Sequence, residues 1–291
     1  MCLQPLRAEK PEVLVNAWQE YQFLSMETAE IYFKQALALD TDPQYLLEAK
    51  VGLAMVNQYK EQGQDLETAK KLYTQVLEQD PPTEMRQLIF SFLADLHLSQ
   101  GEDEEALELL DALIAECANS VIGQDALIRK VILTMGPYGS EESVAVADEA
   151  VSLIENLSIE PTQARPYLIP LISSLLGGIY FWADDFEQSL AQSEIFTTLG
   201  NAETTSYGSQ YAALYQMAKI YELELNQPEK AGVYYRRIVE DYPNSNISYY
   251  ALEKAIEFKA MTRSEVEALR LPGVTPEILT ELFTIESGED D

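Results

Sequence analysis

Residues 83–116 read TEMRQLIFSFLADLHLSQGEDEEALELLDALIAE, and this stretch decides the fold. Thr83 and Glu84 open a helix on which Phe90, Leu93, Ala94 and His97 share one stripe. Ser99-Gln100-Gly101-Glu102-Asp103 interrupts the pattern, and residues 104–116 resume it. Gly101 suits the left-handed position that ends a helix, and the acids after it suit the positive end of the next helix dipole. In the second helix Ala106, Leu110 and Leu113 stand at i, i+4 and i+7, which puts them on one face. The reading is a helical hairpin joined by a short polar turn.

The same small-large-large set recurs in both directions, as Ala29/Phe33/Ala36, Ala69/Tyr73/Val76, Ala147/Val151/Ile154, Ser189/Ser193/Phe196 and Ala231/Tyr235/Ile238. Over all six sets the leading residues stand 40, 37, 41, 42 and 42 positions apart. A recurrence near forty residues marks stacked helical hairpins. The fifth unit has Leu176-Gly177-Gly178-Ile179-Tyr180, a turn at Ala183-Asp184-Asp185, and a helix over 186–199 closed by Gly200. A helical glycine costs about 1 kcal/mol against alanine, so Gly177 is expected to admit a neighbouring helix. The sixth has Leu214, Met217, Ala218 and Tyr221 on its first helix, then Gln227-Pro228-Glu229, with Pro228 fit for a first helical position. Pro43, Pro81-Pro82, Pro161 and Pro243 mark helix stops. The fourth unit departs, with a long loop Met135-Gly136-Pro137-Tyr138-Gly139-Ser140, read as length drift or as a place for function.

Beyond the sixth unit, 247–261 reads as a capping helix. Ser264 with Glu267 is expected to make a capping box for a short helix to Leu271, and Thr275-Pro276 to start another. The predicted organisation is a lead-in over 1–10, a solenoid over 11–261, capping helices over 262–286 and an acidic tail over 287–291. The fold class is all-α, a right-handed α-solenoid of about six hairpins.

These residues resemble the tetratricopeptide repeat family over roughly Pro11 to Met261. The family's first helix carries a large residue, Leu, a small residue and an aromatic, matched by Phe90/Leu93/Ala94/His97, Ser173/Leu176/Gly177/Tyr180 and Leu214/Met217/Ala218/Tyr221. Its second helix carries Ala, aromatic, Ala and then Pro, matched by Ala29/Phe33/Ala36 and Pro43. The family's repeat is several residues shorter, and Ser189 and Ser193 replace its Ala and aromatic. Residues 231–245, ending Tyr242-Pro243-Asn244-Ser245, are similar to a subgroup of bacterial envelope proteins, many of them lipoproteins whose mature chain begins with cysteine. Two readings of Cys2 stay open: a lipidation site whose signal peptide is replaced by Met1, or the second residue of a cytoplasmic protein.

Nineteen Lys and Arg against 49 Asp and Glu leave a formal charge of −30. That argues against nucleic acid as a partner, whose phosphates need a contact lined by Lys and Arg, and disfavours anionic lipid. It suits a basic protein partner, or serves solubility alone. No run approaches the roughly 20 apolar residues of a membrane span, so membrane attachment is expected only through a lipid on Cys2. Cys2 and Cys117 form no disulfide framework, and Cys117 is expected to be buried. There is no phosphate-cradling loop or calcium loop. A single histidine, His97, rules out a two-histidine zinc site. His97 is read as a packed residue with one satisfied nitrogen, and Asp184/Asp185 and Glu102/Asp103 as helix-start carboxylates. No catalytic residue, metal site or cofactor is assigned.

Nine of the seventeen tyrosines lie between Tyr207 and Tyr250. The resemblance implies that a concave groove is lined by the first-helix face opposite the core stripe. That face carries Ser91 and Asp95 in the third unit, Ser174, Gly178, Phe181 and Trp182 in the fifth, and Tyr215, Lys219 and Glu222 in the sixth. Tyr221, Tyr235 and Phe196 are expected to pack between units instead. The resemblance further implies a non-enzymatic scaffold whose groove takes a protein or peptide. Trp182 and Tyr215 would anchor it, and acids would select its basic residues. The setting is an envelope assembly or the cytoplasm, with a small-ligand receptor as the third alternative. The family's clamp for acidic C-termini finds no match at these positions.

Overall fold

Helix starts and stops follow the local chemistry. The computed structural model describes residues 9–39, 41–155, 168–199 and 210–285, with fifteen α-helices and no strand among them. The chain divides into two compact units, 1–133 and 134–291. The first holds α1 (Glu12–Gln22), α2 (Met26–Leu37), α3 (Pro43–Tyr59), α4 (Leu66–Leu77), α5 (Thr83–Gln100), α6 (Asp103–Cys117) and α7 (Val121–Thr134). Asp42 accepts from the Gln44 amide at 2.9 Å, just ahead of Pro43 at the first position of α3. Asp65 accepts from the Thr68 amide at 2.9 Å and starts α4. Each occupies one of the amide donors that a helix start leaves over.

Within this unit α1/α2, α3/α4 and α5/α6 pair as hairpins, and α1, α3 and α5 touch in succession. The stripe residues are the core: Ala29, Phe33, Ala69, Tyr73, Val76, Ala106 and Leu110 have no exposed surface. Phe33 meets Trp18 edge-on at 5.0 Å and lies over Gly52, where a Cβ would come within 2.2 Å of its ring. One polar chain crosses the core. The Tyr73 hydroxyl donates to Gln58 Oε1 at 2.9 Å, and Gln58 Nε2 donates to the Phe92 carbonyl at 2.9 Å, tying α4 to α3 and α3 to α5. His97 is buried with Nδ1 2.6 Å from Glu102 Oε2, the single satisfied nitrogen expected of it. Cys117 differs from expectation: it ends α6 half-buried, its thiol donating to the Leu113 carbonyl at 3.1 Å.

The second unit holds α8 (Glu141–Glu155), α9 (Leu168–Trp182), α10 (Phe186–Leu199), α11 (Gln210–Lys219), a π turn (Ile220–Glu224), α12 (Pro228–Asp241), α13 (Ser248–Glu257), α14 (Arg263–Leu269) and α15 (Pro276–Ile285). α9/α10 and α11/α12 are its hairpins, and α13 packs on α12. Of the fourth stripe only Ala147 is buried, with Val151 and Ile154 half-buried. In the fifth, Ser189, Ser193 and Phe196 are all buried. Gly177 explains those serines: a Cβ there would stand 3.1 Å from Ser193 Oγ, while Ser189 Oγ donates to the Gly177 carbonyl at 2.9 Å. α9 and α10 lie too close for the aromatic that the repeat pattern calls for.

The ends differ in detail. The capping box is Thr262 with Glu265, two residues before the expected Ser264 and Glu267, because the Thr262 hydroxyl and amide both meet the Glu265 carboxylate (2.7 and 2.8 Å). The expected helix over 247–261 stops after Glu257, where Lys259 turns left-handed at φ 57°. Pro161, Gly200, Tyr207, the residues 1–8 that contain Cys2, and the tail from 286 lie outside the described residues.

Hairpin corners share one backbone feature. Gly101, Asp184 and Asn226 take φ of 73°, 59° and 51°. At the first corner the residue is Leu24, at φ 60° and 76% exposed. A left-handed backbone costs an ordinary L-residue about 1–2 kcal/mol, and Asn less. Leu24→Asn is therefore expected to stabilise the first unit by about 1 kcal/mol in urea unfolding. Ser193→Tyr, which restores the repeat pattern, should instead destabilise the second unit by about 1–3 kcal/mol through overpacking against Gly177.

Candidate functional site

The first-helix faces of the two units carry different chemistry. In the first, Ser91 and Asp95 sit on α5 as expected, but they serve α7. Arg129 donates from Nη1 to Asp95 Oδ1 at 2.6 Å and from Nη2 to Ser91 Oγ at 3.4 Å, and it also pairs with Asp125. From α3 the Tyr59 hydroxyl donates to Asp95 Oδ2 at 2.9 Å. Burial and then the Asp95 charge push the Tyr59 hydroxyl well above its ordinary value, so it stays a donor.

Beside this knot lies a groove of about 440 Å³ across α1, α3 and α5. Its floor is Trp18, Val51, Met55, Met85, Leu88 and Phe92, with Glu48 and Glu84 among the lining carboxylates. The Trp18 indole donates to Glu48 at 2.6 Å, and Lys10 pairs with the same carboxylate. Sequence reasoning missed this site. Its signal was a second helical spacing beside the core stripe: Gln44, Glu48, Val51 and Met55 on α3, and Met85, Leu88 and Phe92 on α5.

In the second unit Trp182 ends α9 with 67% of its surface exposed. Phe181 meets Trp182 edge-on at 5.8 Å and Phe186 edge-on at 6.2 Å, and packs on a core of Leu190, Met217 and Ile220. Gly178 lies one turn before Trp182, and a Cβ there would sit 3.8 Å from the Tyr138 ring. The loop 135–140 reaches α9 because Gly139, at φ 79°, has no side chain: a Cβ would fall 2.2 Å from the Trp182 carbonyl oxygen. Tyr138 and Trp182 thus form an aromatic shelf over Gly178, with Ser174 half-buried a turn further back. The loop's irregular length gains a structural reason, and Tyr138 joins a site assigned to the helix alone.

Tyr215, Lys219 and Glu222 are brought together, but around one another. Tyr215 meets Tyr235 and Tyr250 edge-on at 6.3 and 6.0 Å. Lys219 donates to Glu222 at 3.0 Å and to the Tyr250 hydroxyl at 3.2 Å. Glu222, in the π turn, also accepts from Tyr235 at 2.6 Å and pairs with Lys254 at 3.0 Å. The wider turn, closed by the Leu225 amide on the Ile220 carbonyl at 3.0 Å, was not legible in the sequence. Among the described residues no group of acidic, histidine or cysteine side chains could hold a metal, and no helix is long and apolar enough to cross a membrane.

Burial alone would raise the Glu222 carboxyl, but hydrogen bonds from Tyr235, Lys254 and Lys219 outweigh it and hold the group below its ordinary value. A depressed carboxyl contributes stability that is present above its unfolded-state value and lost as pH falls through its folded one. Glu222→Gln is thus expected to cost about 1–3 kcal/mol at neutral pH. The gap to the parent should close as acid protonates Glu222, read from urea midpoints across the acid range. A gap unchanged with pH would mean that the charge contributes nothing.

Comparison with known proteins finds the same kind of repeat in both units. Tetratricopeptide-repeat models match residues 59–127, in the first unit, and 212–245, in the second. No curated protein sequence matches the chain. Among solved structures, PilF of Pseudomonas aeruginosa aligns at 15% identity and TM-score 0.47, over 85% of this chain and 95% of that one. A tetratricopeptide repeat protein of Parabacteroides merdae aligns at 16% identity and TM-score 0.45, over 95% and 98%. Each unit thus contains a segment that tetratricopeptide-repeat models match.

Proposed function

We propose that this chain, like tetratricopeptide-repeat proteins in general, is a non-enzymatic scaffold that binds other proteins, and that it holds a protein segment against its first-helix faces. The observation that carries the reading is the apolar groove across α1, α3 and α5, whose aromatic and methionine floor is flanked by Glu48 and Glu84. Aromatic and sulfur-bearing side chains adapt to an apolar ligand, while carboxylates in a field of −30 favour a partner with basic residues. The Tyr138/Trp182 shelf offers a second contact of the same kind within its own unit. Tyr215, Lys219 and Glu222 are half-buried and already partnered within the unit, so the proposed contact leaves them out.

The setting we propose is a bacterial envelope assembly, on the likeness of Tyr242-Pro243-Asn244-Ser245 to envelope relatives and on Cys2 as a lipidation site. The codons upstream of Met1 test it. A signal peptide ending in a small residue before Cys2 supports anchoring, and a stop codon there moves the scaffold to the cytoplasm.

The contact is tested by affinity capture with the parent chain, Leu88→Arg and Trp182→Ala. Loss of an aromatic or apolar anchor costs about 2 kcal/mol or more in an interface, so specifically captured partners should fall at least tenfold for Leu88→Arg. They should also fall as salt is raised, because screening weakens charge selection. Unchanged capture by both variants with intact helical signal removes these faces as the binding surface.

A further inference from the structure

The second unit holds a cleft that the scaffold reading does not use. α10 packs on α11, and the wedge left between α10 and the start of α12 is about 460 Å³. Leu190 and Leu225 supply its apolar lining, Tyr221 and Tyr234 its aromatic wall, and Glu187 and Glu194 its carboxylates. The two tyrosine rings stack at 5.5 Å with 10° between their planes.

What the cleft attracts is visible in how the chain's own cations behave. Lys230 Nζ stands 5.3 Å from the Tyr221 ring centroid. The Arg237 guanidinium stands 5.9 Å from the Tyr234 ring and reaches Glu194 at 3.5 Å. Tyr234 in turn donates to Glu194 at 3.4 Å. Both nearby cations have settled over ring faces, as the quadrupole of an aromatic ring demands. They are held differently. Arg237 is half-buried and paired, whereas Lys230 is exposed and lies over the ring. An ammonium on a flexible stem is the weaker ligand here, since a guanidinium can stack flat on the tyrosine and fork to a carboxylate at once.

We propose that this cleft takes an arginine side chain of a protein partner, stacked on Tyr221 and paired with Glu187 or Glu194, and that Lys230 is a resident that the arginine displaces. The site lies apart from the α1/α3/α5 groove and does not rest on it. It gives the acidic chain a specific receptor for a basic residue in place of a diffuse field.

The test titrates Nα-acetyl-arginine amide into the full chain and follows the methyl NMR signals of Leu190 and Leu225. Saturable shifts of both are expected, and none with Nα-acetyl-citrulline amide, which has the same shape without the charge. Lys230→Met should tighten the arginine isotherm two- to fivefold, roughly the worth of one exposed cation–π contact, and Glu187→Gln with Glu194→Gln should weaken it. Lys230→Gln serves if the methionine variant loses helical signal. Leu88→Arg should leave the isotherm unchanged, which separates this site from the groove. Equal shifts with citrulline, no saturable shift, or an isotherm indifferent to both Lys230 variants would overturn the proposal.

Discussion

How near two helices can lie is set by the smallest side chain between them. Ala29, Ala69, Ala106, Ala147 and Ala231 are fully enclosed, and so is Ser189 where the stripe has no alanine. Each permits the first turn of one helix to settle against its hairpin partner, and the larger residues four and seven places on then fill the space behind it. Packing at this density leaves little tolerance for added volume. The hairpin is thereby a fixed unit, and the faces it turns outward are fixed with it.

That dependence explains why the architecture was readable and most of the chemistry was not. Periodicity reports burial directly, so the boundaries of α5, the corner at Gly101 and the first-position proline of α12 follow from local rules. The capping box was misplaced because Thr262 and Ser264 are both competent caps by residue type, and only the structure shows Glu265 closing on Thr262. The π turn left no mark in the local pattern, and the partners of Glu222 within it, Tyr235 and Lys254, come from later helices.

The site residues divide on the same ground. The exposure of Trp182 was legible, since an aromatic opposite a core stripe has few places to go. Tyr215 was not separable from Trp182 by spacing, and only the structure shows it half-buried against the rings of Tyr235 and Tyr250. Ser91 and Asp95 look like groove residues until Arg129 arrives from another helix. The floor of Met55, Met85 and Leu88 was hidden for the opposite reason, because apolar residues on an amphipathic helix are read as core by default.

Gly177 has a consequence beyond the packing it allows. The pair it brings together, α9 and α10, is joined by a backbone carbonyl accepting a buried serine hydroxyl, so the end of α9 is braced along its length. Trp182 is mounted on that brace, with the 135–140 loop seated against its carbonyl. A ligand meeting this indole has little chain to order on arrival, and the entropy cost of association falls mainly on the ligand. The Trp182 end of α9 is thus held in place by the fold and not by a ligand.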